Sequence, residues 1–72
     1  MMNMWTIYDH PRDFPDFYVA RLFKVDAEGT RATVEVVLSS SLDEIRRSMC
    51  LLGLTCLNRS PEDDPLIVEV WL

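Results

Sequence analysis

Few side chains in this 72-residue chain could do chemistry, and most of them gather near its two ends. His10 is the sole histidine, with Asp9 beside it and Asp13 and Asp16 close behind. An imidazole oriented by a carboxylate can act as a general base or ligate a divalent cation. One histidine with scattered acids defines no metal geometry, however, and a loop histidine bonded to a neighbouring aspartate fits the same residues. Glu62, Asp63 and Asp64 form a second acidic group. It lacks the spacing and terminal glutamate of an EF-hand, so it reads as a solvated turn or a recognition loop for a basic partner. Cys50 and Cys56 form neither a C-x-x-C pair nor a Cys/His cluster, which leaves two reduced thiols filling space, or a regulatory disulfide. No nucleophile stands at a recognisable spacing from His10. Gly29 and Gly53, the only glycines, make no phosphate-cradling loop. The expectation is a protein that is not an enzyme and that has no cofactor and no metal site. A small metal-dependent enzyme built on His10 and the nearby acids is an alternative.

The acids belong to two proline-bracketed segments, residues 9–16 and 58–65, which hold all four prolines. Each carries three acids and one arginine, so together they supply four of the five net negative charges. Direct binding to nucleic acid needs lysines and arginines to neutralise phosphates, and acids here outnumber bases twelve to seven. The balance favours a protein partner with a basic surface and disfavours anionic membranes. The first residues lack the basic and apolar regions of a secretory leader, and no apolar run approaches the roughly 20 residues of a membrane span. A cytoplasmic location is expected.

The elements that hold these loops read as one small domain, residues 1–72, near the lower size limit for a chain that builds its own core. Residues 4–8 are β-branched and aromatic and end at Asp-His-Pro, which predicts a strand. Residues 17–25 and 33–38 are predicted strands around the turn 26–30, where Gly29 is free to adopt positive φ. Ser41 and Glu44 form a capping box before a helix over 42–52. Gly53 is its left-handed stop, with Leu54 packing back on Met49. Leu42, Ile45, Met49 and Leu52 make the core-facing stripe, and Asp43 and Arg47 an exposed i,i+4 pair. Residues 55–57 read as a short strand or extended segment, and 66–71 as the last strand.

The expected fold is therefore α+β: an antiparallel sheet of about four strands, in the order β-β-β-α-β, with one helix on one face. One helix covers one sheet face. Alternation assigns Tyr18, Ala20, Leu22, Val34, Val36, Leu38, Leu66, Val68 and Val70 to the helix side. Phe17, Val19, Phe23, Val25, Val37, Ile67 and Trp71 then fall on the other side, among Arg21, Glu35 and Glu69. That side is too apolar to stay bare, so the sheet curls on itself or something binds there. Trp5 and Trp71 serve as core packing or as interface anchors.

The stretch from Trp5 to Asp16, together with Arg59 to Pro65 and Val68 to Leu72, resembles the ends of small uncharacterised bacterial proteins, over about half the chain. That resemblance implies no particular activity. In size, acidity and α+β plan the chain is similar to phage-encoded inhibitors, including anti-CRISPR proteins, although no motif carries the likeness. The resulting expectation is a non-catalytic acidic interaction module. In its concrete form it inhibits a nucleic-acid-processing complex by seating carboxylates where phosphates would lie. Its expected partner-binding residues are Asp9, Asp13, Asp16, Glu62, Asp63, Asp64, Trp5 and Trp71. A structural homodimer through the uncovered sheet face is the other alternative.

Overall fold

The structure, a computed structural model, describes residues 2–58 and 65–72. Five strands and one helix follow in the order β1 (Met2–Asp9), β2 (Tyr18–Asp26), β3 (Gly29–Ser39), α1 (Leu42–Leu51), β4 (Cys56–Asn58) and β5 (Ile67–Trp71). The strands form one antiparallel sheet in the spatial order β3-β2-β1-β5-β4. Since β3 and β4 are the two edges, α1 carries the chain from one edge to the other across a single face. The expected α+β plan holds, but with five strands in place of about four. Residues 56–58 are too short to declare themselves by periodicity. Pairing with β5 fixes them, and Thr55 and Leu72 extend that pairing through reciprocal amide–carbonyl bonds of 2.9 and 3.0 Å.

Local signals at both ends of α1 act nearly as expected. The Ser41 hydroxyl accepts from the Glu44 amide at 3.4 Å. Glu44 does not return the bond to Ser41. Its carboxylate accepts from the Ser39 hydroxyl at 2.5 Å, and the Ser41 amide donates to that same hydroxyl oxygen at 3.0 Å. The capping network is thus routed through the last residue of β3, which ties the helix start to the sheet edge. At the other end Gly53 sits at φ +77°. The Gly53 amide bonds the Cys50 carbonyl at 2.9 Å and the Leu54 amide bonds that of Met49 at 3.2 Å, a Schellman ending. Leu54 packs on the core and replaces Leu52, which is exposed where the stripe expected it inside.

The core lies between α1 and one face of the sheet, and comprises Trp5, Ile7, Ala20, Leu22, Ile45, Met49 and Trp71, with Tyr18, Val37 and Val68 packed around them. The expected helix side was right for Tyr18, Ala20, Leu22 and Val68. It was inverted for β3, where Val37 faces the helix instead of Val36 and Leu38, and for Trp71 and Glu69 in β5. In β3 the whole phase is reversed: the hairpin register, with Val25 opposite Thr30, sets the even-numbered residues on the side away from α1, and the two extra residues opposite Leu22 keep that phase, so Ala32 and Val36 share a face. The β5 inversion comes from an irregularity. In β5, the register shifts beside Val68, between its pairing with Ile7 and with Tyr8. A change of register by one residue moves a side chain to the other face, so alternation read through such a shift fails. Burying the indole of Trp71 in place of Val70 also removes more apolar surface from water, by a margin of roughly a few kcal/mol.

Candidate interaction face

Residues directly opposite in an antiparallel pair share a face, so the registers define the side of the sheet turned away from α1. Thr6 opposes Arg21 and Val70, Met4 opposes Phe23, Arg21 opposes Val36, and Val19 opposes Leu38. Leu57 opposes Val70 at the β4 edge. Of the side chains these pairings bring together, Arg21 alone is charged. Met2, Val36, Leu38 and Leu57 are 36–48% exposed, while Met4, Phe23 and Val25 are half-buried.

The first proline-bracketed loop reaches back over part of this face. Arg21 pairs with Asp13, and its guanidinium lies 6.0 Å from the centre of the Phe14 ring. The loop is held by short-range bonds: the Phe14 amide to the Pro11 carbonyl at 3.0 Å, Phe17 to Phe14 at 3.2 Å, and His10 to Phe17 at 3.1 Å. Val19 is fully buried and Thr6 nearly so, although both lie opposite the helix side. The face is therefore closed near the loop and open towards Met2, Val25, Val36 and Leu57.

The expected site residues divide accordingly. Asp13 is bound to Arg21, and Asp9 to the ring of its neighbour His10. Asp16 is exposed, with no ion pair among the described residues. Glu62, Asp63 and Asp64 lie outside the described residues. The flanks of the two acidic segments do meet at one end of the sheet, where the Asp9 amide bonds the Leu66 carbonyl at 2.7 Å. Trp5 and Trp71 are cross-strand partners inside the core, 9% and 7% exposed, so they pack and offer a partner almost no surface. His10, at φ +49°, stacks edge-on against Tyr18 with ring centres 4.9 Å apart, a turn-shaping role. No group of three or more His, Cys, Asp or Glu among the described residues is arranged to hold a metal ion.

A second polar centre escaped the sequence. Glu69, 7% exposed, lies on the helix side of β5 and accepts from Arg46 Nε at 2.6 Å and from the Cys56 thiol at 2.7 Å. Arg46 also lies 3.9 Å from Asp43, its partner in place of the expected Asp43–Arg47 pair. Cys56 is an exposed residue whose sulfur lies against Glu69. Removal from water, reinforced by the hydrogen bond to Glu69, pushes its pKa up from 9.0 to about 11. The bond to Glu69 likewise raises that of Arg46. At neutral pH the thiol is thus a protonated donor and a poor nucleophile. The centre is a staple joining helix, inner strand and edge strand. The only hint in the sequence is one carboxylate inside the apolar run Ile67 to Trp71.

Fold and site together define an α+β domain with one helix-covered sheet face and one largely apolar face half-closed by an acidic loop. No helix among the described residues is long and apolar enough to cross a membrane. Comparison with protein-family models, curated proteins and solved structures finds no match to this chain.

Proposed function

We propose that this chain is a non-catalytic protein-interaction module that docks a protein partner on the sheet face opposite α1. The observation that carries this reading is that face itself. It is apolar, its one charge is neutralised by Asp13, and Met2, Val36, Leu38 and Leu57 are exposed on it. Contiguous apolar surface of this kind marks interaction sites more often than chance. Exposed Asp16, in the loop that closes part of the face, and the net charge of −5 suit a basic partner. The particular form we favour is a cytoplasmic inhibitor of a nucleic-acid-processing complex, similar in kind to anti-CRISPR proteins. Its support is the net charge of −5 and the clustering of the acids.

The test is capture of partners from a host lysate with three baits: the wild type, a Met2→Asp/Leu57→Asp variant, and an Asp63→Lys/Asp64→Lys variant. A basic protein retained by the wild type should be lost by the first variant and bound with slower association by the second. Retention that is the same for all three sinks the reading.

A further inference from the structure

The β3 edge and the outer side of α1 form a second surface, which meets the open face along Val36 and Leu38. The groove between them, about 260 Å³, is lined by Val37, Ser39, Ile45, Arg47, Ser48 and Leu51, among others. Exposed apolar side chains crowd beside it: Val34 is 97% exposed and Leu51 83%, with Val36 and Leu38 next to them. Arg47 is exposed and has no ion pair among the described residues, because Asp43 faces Arg46. Glu35 is also exposed, and its side chain has no ion pair among the described residues.

We infer that a second copy of this chain adds to the β3 edge, antiparallel, about a two-fold axis at Val37. Beyond the irregularity opposite Leu22, residues 36–39 keep regular register with β2. As the edge of the described sheet, they offer an incoming strand a row of backbone groups with no sheet partner among the described residues. With Val37 opposite its own copy, Val36 meets Leu38 and Glu35 meets Ser39. Ala32 and Val36 fall on the same face, so β3 keeps its phase through the irregularity and alternation puts Glu35 on the side of Val37 and Ser39. The carboxylate of one copy therefore arrives at the groove that holds Arg47 of the other. The symmetry makes this contact twice, which is what an isologous interface requires. The axis stands perpendicular to the sheet, so both helices stay on one face and the exposed Leu51 side chains approach across it. The product is a continuous sheet of two five-stranded halves. The charge match selects a second copy over other extended strands: an acid two residues from the pairing centre meets a cation that has no ion pair among the described residues.

Sedimentation velocity across the micromolar range, on the full chain, tests this. The wild type should dimerise. Glu35→Arg and Arg47→Glu should each weaken the dimer by about tenfold or more, since two ion pairs become two repulsions. The double variant, Glu35→Arg with Arg47→Glu, should restore it. Both positions are exposed, so melting curves of the variants should match the wild type at concentrations where all are monomeric. Met2→Asp, on the open face, should leave the dimer intact, which separates this interface from the proposed docking face. A monomeric wild type overturns the inference. So does a dimer indifferent to both reversals, a double variant no better than the singles, or a dimer lost through Met2→Asp.

Discussion

The two faces of the sheet are built from the same strands and differ in what completes them. On the helix side, Trp5, Ile7, Ala20 and Leu22 meet Ile45 and Met49, and the buried carboxylate of Glu69 is met by an arginine and a thiol. On the other side, Val19 and Thr6 are closed off near a loop, while Met2, Val36 and Leu38 stay open. The first face is finished by regular structure whose caps lock it in place. The second is finished by turns, and only in part. In a domain this small the first face must supply most of the stability. The second is then free to serve binding.

The strongest challenge to this division is a truncation on each face. Ile7 is fully buried at the centre of the helix side, so Ile7→Ala should cost about 2–5 kcal/mol in denaturant unfolding and leave the chain largely unfolded if its margin is small. Leu38→Ala, 40% exposed on the other face, removes surface that is already partly wet and should cost under about 1 kcal/mol. Equal losses would mean that the open face carries as much of the fold as the covered one.

Next in size is the Glu69 centre. Arg46→Ala leaves a nearly buried carboxylate with the Cys56 thiol as its one close partner among the described residues. The arginine is about half exposed, so water can replace part of what it supplied, and the expected loss is about 1–2 kcal/mol. The matched substitution Arg47→Ala, one residue along on the groove side, should be near neutral in the monomer. If the two cost the same, the Glu69 centre is no staple.

The helix and its ends were legible because they depend on local chemistry: Ser41 caps and Gly53 stops whatever the sheet does. The strands from Tyr18 and to Trp71 were legible as elements for the same reason, through their β-branched and aromatic runs. Their faces were legible in β2. In β3 the alternation ran true but nothing in it says which set faces the helix; the pairing of Val25 with Thr30 decides that. Where β5 shifts beside Val68, the pattern of twos carries no record of the slip. Glu69 was misassigned with Trp71 for that reason. Its partners Arg46 and Cys56 lie 23 and 13 residues away in the chain, on elements whose approach is set by the fold. The place of Trp5 and Trp71 was open for a different reason. Aromatic type marks large buried area equally well in a core and in an interface, and both side chains lie in the core.

The smallest predicted effect sharpens the contrast further, because it titrates one face alone. Cys56 has its pKa raised from 9.0 to about 11 by burial of its sulfur and by donation to Glu69. A pKa higher in the folded than in the unfolded chain means that the folded state binds the proton more tightly. The stabilisation is then fully present below pH 9 and is lost as pH climbs through about 11, where the thiolate would face the Glu69 carboxylate without a proton between them. The sulfur is only partly enclosed, so the whole effect should stay within about 1 kcal/mol. Other groups also ionise in this range, so the measurement is a difference. Melting temperatures of the wild type and of Cys56→Ser are followed from pH 8 to about pH 11, under reducing conditions. Serine keeps a donor for Glu69 but does not ionise, so the wild type should lose stability relative to the variant as pH rises. A constant difference would show that the thiol does not hold its proton for Glu69, and would leave Arg46 as the sole partner that makes the covered face tolerate a carboxylate.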